Sequence, residues 1–128
     1  MSQRSNRAKL RSLRQEAYVR QAGRCLYCGV RMWLTSPEEL APWRPARASC
    51  RSLQCTAEHL VARSAGGADS VANIAAACAL CNLRRHRRAR PLAPTQYRQL
   101  IRCRLRRGTW HADWVHQCGL LEEGDAGA

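Results

Sequence analysis

Two cysteine pairs have the spacing of a metal knuckle: Cys25-Leu26-Tyr27-Cys28, followed by Gly29, and Cys78-Ala79-Leu80-Cys81. A C-x-x-C turn points two thiolates at one tetrahedral ion, and a second pair completes a closed Cys₄ zinc site. Disulfides are disfavoured, because Arg4, Arg7, Lys9, Arg11 and Arg14 leave no room for the apolar stretch of a secretory signal. The first acid is Glu16, which leaves a mitochondrial transit peptide open on composition, but the same segment reads as a helix leading into the first knuckle. A thioredoxin-like redox pair would need a strand-and-helix setting that the pattern lacks. The expectation is therefore structural zinc in a reducing cytoplasm. Cys50, Cys55, Cys103 and Cys118 fit no single motif and read as free buried thiols rather than a second zinc site.

Between the knuckles, and just after the second, lie the other residues that could do chemistry. They are Glu58-His59, Gly66-Gly67, Asn73, Asn82 directly after Cys81, and His86. Taken in order, C-x-x-C-G, an acid-His pair, a Gly-Gly loop, Asn and C-x-x-C-N, this pattern resembles the HNH endonuclease family over about residues 18–90. The resemblance implies a ββα-metal core and hydrolysis of phosphodiester bonds. That reaction needs a base to activate water, a Lewis acid for the phosphoryl oxygens and leaving 3′-oxygen, and cations to hold the strand.

Neighbouring residues on a strand face opposite ways, so Glu58 and His59 cannot both address one ion unless the strand bends. The division of labour this suggests matches what the resemblance implies: His59 as general base, and Glu58 as oxygen ligand to a hard ion, Mg²⁺ or Mn²⁺. Asn82 would be a second ligand. His86, four residues on and on the same helical face, is a third ligand, a phosphate contact or simply solvated. Asn73, in the family, ties the loop together and orients the catalytic histidine; by itself it could be only a turn or cap residue. The acid here is Glu58 where many relatives carry Asp, which moves the carboxylate by about 1.5 Å.

The charge balance points the same way. Of 128 residues, 22 are Lys or Arg and 9 are Asp or Glu, a formal net charge of +13. Twenty-one of the 22 cations are arginines, whose planar fork suits phosphate, so nucleic acid is favoured over an anionic membrane. Arg84, Arg85, Arg87, Arg88 and Arg90 crowd the stretch after Asn82 and are expected to clamp the backbone of DNA, double-stranded by preference. No stretch is long and apolar enough to span a membrane.

Elements must position these groups. A basic helix is expected over residues 7–22, with Leu10, Leu13, Ala17 and Tyr18 on one face and Gly23 at its end. An insert at about residues 30–57 contains Ser36-Pro37-Glu38-Glu39, an N-cap with its capping-box acid, and a helix stopped by Pro42 and Pro45. The rest of the insert, to Ser52, reads as basic loop. A strand is expected over residues 53–61, an ambiguous segment over 73–77, and a helix over 79–89. A further helix capped by Thr95 carries Tyr97, Leu100, Ile101 and Leu105 on one face, and Trp110 and Trp114 pair as i, i+4 packing residues.

The fold class is small α+β: a ββα-metal core stapled by zinc and flanked by N- and C-terminal helices. The organisation expected is a basic helix to residue 24, a core over 25–90, a helical extension over 91–119 and a flexible acidic tail over 120–128. The function expected is a metal-dependent DNA endonuclease that nicks and leaves 5′-phosphates. The rivals are a non-catalytic zinc module that binds nucleic acid by charge, and an RNA-cutting or toxin nuclease with the same site.

Overall fold

The computed structural model describes residues 3–46 and 50–122. Helix α1 runs Gln3–Arg20, and strand β1 (Cys55–His59) pairs antiparallel with β2 (Ile74–Cys78). Helix α2 (Ala79–His86) follows β2 without a break, then come α3 (Pro94–Arg106) and α4 (Asp113–Gln117). This is a small α+β fold with a two-stranded sheet, in which β1, β2 and α2 form a ββα unit.

The segment left ambiguous at 73–77 is β2. Its sequence Ile-Ala-Ala-Ala-Cys is buried at every position, because α1 packs across both strands on one side and the cysteine knuckle closes on the other. Alanines fit where both faces are covered. The outer edge of β2 is paired as well: the Gln21 amide donates to Ala76 O at 2.9 Å and accepts from Ala76 N at 2.9 Å. Only Leu13 and Ala17 of the α1 stripe are fully buried; Leu10 is half-buried.

The insert carries the expected capping box, Ser36 with Glu39, but the helix it starts is 3₁₀, Pro37–Trp43, with Pro42 inside it. A 3₁₀ turn tolerates proline in so short a run because few i→i−4 bonds are at stake. The basic loop expected up to Ser52 gives way to a second 3₁₀ turn at Arg51–Leu53; residues 47–49 lie outside the described residues.

Three local expectations need correction. Thr95 does not cap α3: Ala93 is the N-cap, and Pro94 supplies the first helical residue, where its missing N–H costs nothing. Trp110 and Trp114 do not share a helix, since Trp110 (φ 82°) lies in the turn before α4. Leu120, where a frayed tail is expected to begin, is fully buried, and its carbonyl accepts Arg31 N at 2.9 Å. Residues 123–128 lie outside the described residues. Among the described residues Cys50 and Cys55 are buried and outside any disulfide, and Cys103 and Cys118 are half-buried.

Candidate metal centre and active-site cleft

Cys25, Cys28, Cys78 and Cys81 converge: all four are buried, with their sulfurs within 4.8 Å of one another. The Cys28–Cys78 sulfurs are 3.8 Å apart, the spacing of about 3.8 Å that two thiolates take on a tetrahedral zinc at about 2.3 Å. N–H groups point at the sulfurs. Cys78 N donates to Cys25 Sγ (3.3 Å), Val30 N to Cys28 Sγ (3.5 Å) and Cys81 N to Cys78 Sγ (3.5 Å).

Two further donors come from a segment the sequence did not connect to the cluster. Trp110 Nε1 lies 3.3 Å from Cys81 Sγ, and His111 Nε2 lies 3.2 Å from Cys28 Sγ. Burial lowers the His111 pKa to about 4, so the ring is neutral, and its Nε2–H tautomer would donate to Cys28. Such N–H groups suit sulfurs that carry negative charge. Against burial, hydrogen bonds from Cys28, Cys78 and Cys81 pull Cys25 well below the usual thiol range, while burial pushes Cys78 and Cys81 well above it. The cluster alone thus supports only partial ionisation, and a cation is what would ionise the rest. The donor set fits zinc.

The cluster places the second site. It fixes the turn at the start of α2, with Asn82 next to Cys81, and Tyr97 OH on α3 braces the Cys81 carbonyl at 2.7 Å. A cleft of about 370 Å³ opens beside it, lined by Leu10 of α1, Ala57, Glu58 and His59 of β1, Arg63 of the following loop, and Asn82 and His86 of α2. Four of the expected site residues therefore share one cavity.

The alternation of β1 sends its acid-His pair to different partners. Glu58, fully buried, meets His86 Nε2 at 2.7 Å through Oε1 and Arg85 NH1 at 3.4 Å through Oε2. Oε2 has no hydrogen-bond partner. Asn82 spends its amide N–H groups on Thr56 Oγ1 (3.0 Å) and Ala57 O (3.2 Å), which leaves Oδ1 as its acceptor. A buried carboxylate, an amide oxygen and an imidazole nitrogen are donors that suit a divalent ion of the Mg²⁺ or Mn²⁺ kind. Neighbouring ligands on an octahedral ion at about 2.1 Å stand about 3 Å apart, close to the Glu58–His86 separation.

His59 turns to Asp69, with Nε2 2.7 Å from Oδ1. The Asn73 side chain makes no hydrogen bond to His59. It holds the loop between β1 and β2: Oδ1 accepts Val61 N at 2.9 Å, and Nδ2 donates to Val61 O (3.0 Å) and Ala68 O (2.9 Å). The two glycines have separate reasons. Gly66 is left-handed (φ 90°), whereas a Cβ on Gly67 would meet Val61 O at 1.7 Å. Asp69 is not among the residues that the sequence pattern singles out. The available signal was an acid just after Gly66-Gly67 in a chain with nine acids.

The expected arginine clamp divides. Arg85 is 4% exposed and cannot hold a duplex. Its guanidinium donates to His59 O (3.1 Å), Leu60 O (3.1 Å) and Leu92 O (3.1 and 3.0 Å), tying the end of β1 to the α2–α3 connection beside Glu58. Arg84 is half-buried, donates to Trp110 O at 3.0 Å and stacks on that indole at 4.7 Å. Arg87, Arg88 and Arg90 are exposed. Helix α2 ends at His86, three residues short of the sequence expectation, so these last arginines lie beyond it.

A small α+β protein with a four-cysteine cluster and an acid-histidine cleft on a ββα unit is the class these observations define. Residues 43–88 match the family model described as HNH endonuclease, so the resemblance read from the motifs holds over that segment. The match takes in Glu58, His59, Asn73, Cys78, Cys81, Asn82 and His86, and leaves Cys25 and Cys28 outside. Searches of curated proteins and of solved structures gave no significant match. Among the described residues, no helix is long and apolar enough to cross a membrane.

Proposed function

We propose that this protein is a divalent-metal-dependent endonuclease that hydrolyses DNA phosphodiester bonds, nicking one strand per event to leave 5′-phosphate and 3′-hydroxyl ends. The observation that carries the reading is the convergence of Glu58, His59, Asn82 and His86 on one cleft within the segment matching the HNH family. His59 takes the proton of the attacking water. Glu58, Asn82 and His86 hold the ion, which supplies charge stabilisation for the phosphoryl and leaving oxygens. A non-catalytic zinc module would have no use for these four groups together. Zinc in the cysteine cluster is structural, and a reducing cytoplasm suits both its thiolates and the other cysteines, which form no disulfide.

Supercoiled plasmid incubated with Mg²⁺ or Mn²⁺ should relax to the nicked circle, EDTA should abolish this, and DNA ligase alone should reseal the product. Retention of plasmid without cleavage under either metal would favour the binding module. Preferential cleavage of RNA of the same sequence would favour the RNA-cutting reading.

The exposed arginines give a second expectation. Neutralising Arg87, Arg88 and Arg90 removes up to three phosphate contacts, and each lost contact should flatten the slope of log K against log salt by about 0.9 on B-DNA. Affinity should fall alike for unrelated sequences, because these contacts carry no base information. Titrations of wild type and triple variant at several salt concentrations measure it. An unchanged slope would move the DNA path to another basic surface.

A further inference from the structure

The contact between His59 and Asp69 has no part in the roles assigned above, and its geometry restricts what His59 can do. Asp69 Oδ1 lies 2.7 Å from His59 Nε2, and Oδ2 lies 3.0 Å from Arg63 NH2. Arg63 Nε is 3.3 Å from both His59 Nε2 and Asp69 Oδ1. The hydrogen bond from His59, reinforced by Arg63, holds the Asp69 carboxyl below its ordinary range, so it is a carboxylate at neutral pH. A carboxylate only accepts, so His59 Nε2 must carry the hydrogen, and Arg63 Nε gives its own to Oδ1. The lone pair of the neutral ring then sits on Nδ1, which has no hydrogen-bond partner among the described residues.

The Asp69 carboxylate is itself held firmly in place. It sits on the loop whose path is set by the three Asn73 hydrogen bonds and by the close approach of Gly67 to Val61 O. Asn73 thus acts on His59 at one remove, by placing the carboxylate that touches it.

We propose that Asp69 is the positioning residue for His59: it fixes the Nε2–H tautomer and the ring orientation, so that Nδ1 is the atom that receives the proton from water. This rests on the reading of His59 as the base. In the step, the water O–H bond breaks and its proton moves to Nδ1. The oxygen's electron pair forms the bond to phosphorus, and the P–O3′ pair leaves with the 3′-oxygen, which takes a proton from solvent.

The test pairs kinetics with a tautomer measurement on the full chain. The chain has four histidines, so two-bond ¹⁵N–¹H correlations of ¹⁵N-histidine protein can be assigned by single substitutions. Wild type should show His59 as the Nε2–H form. In Asp69→Asn the amide can donate to Nε2, so the Nδ1–H form should appear, kcat for nicking should fall by about 10- to 100-fold, and KM should stay within about 2-fold. A merely structural loop contact would move melting temperature or KM and leave the tautomer alone. An Nδ1–H ring in wild type, or a variant with undiminished kcat, overturns the proposal. Absence of nicking by wild type would overturn the nuclease reading, while the wild-type tautomer still decides the pairing with Asp69. The wild-type measurement does not depend on the variant folding.

Discussion

His59→Ala should lose nicking by about 10²- to 10⁴-fold, the usual worth of a positioned general base, while zinc content, fold and DNA retention stay as they are. The separation of effects is expected because His59 is linked to the rest of the protein mainly through its backbone. Its carbonyl accepts Arg85 NH1, and its strand register opposite Ile74 does not depend on the ring. The ring's partners are Asp69 and Arg63, on the surface loop, and not the buried residues of the core. The proposed phosphate contacts lie on the exposed arginines, so a gel shift at low salt should be unaltered. Plasmid nicking by enzyme matched for melting temperature is the measurement, and undiminished turnover in the alanine variant would remove His59 from the chemistry. Glu58 could not serve for such a test, because its loss would strand the buried Arg85 charge and confound activity with stability.

Cys28→Ser or Cys81→Ser should lower the melting temperature sharply and release the zinc. Apparent binding of zinc by a Cys₄ site is worth about 10–16 kcal/mol, against a net folding stability of about 5–15 kcal/mol for ordinary domains. The chain has no phenylalanine, and alanines occupy the centre of β2, so little large apolar bulk stands in reserve. The cluster also joins parts distant in sequence: the knuckle at residues 25–28, the β2–α2 turn, and the Trp110-His111 segment through its bonds to Cys81 and Cys28. Cys81→Ser should in addition disturb Asn82, its neighbour in α2, and so lower any residual activity more than Cys28→Ser does. A mild chelator should act in the opposite order, removing activity first and leaving the fold, since the cleft is open to solvent at His86 while all four sulfurs are buried. Metal analysis with parallel thermal melts reads both. Zinc-free protein that folds normally when purified without chelator would overturn the Cys₄ assignment.

What the sequence determined by itself are the features set by short spacings. A C-x-x-C turn presents two sulfurs whatever surrounds it, the Ser36–Glu39 capping box closes on its own backbone, and the four-residue step from Asn82 to His86 puts both on one helical face. Alternation along β1 likewise separates Glu58 from His59 without reference to the rest of the molecule. Composition settled the large cationic charge but not which cations are free to meet a phosphate. Arg85 and Arg87 look alike in the run that contains them, yet one is buried against three carbonyl-bearing residues and the other is exposed beyond the helix end. That difference is the rotation of α2 against β1 and the α2–α3 connection, which no local pattern encodes. The meeting of Asp69 with His59 depends on how a loop closes between two strands, and the approach of Trp110 and His111 to the cysteines on how α3 returns the chain across the knuckle. Spacing decides which groups a single element presents; only packing between elements decides which of them meet, because burial selects one rotation and one loop path among many that the same residues allow.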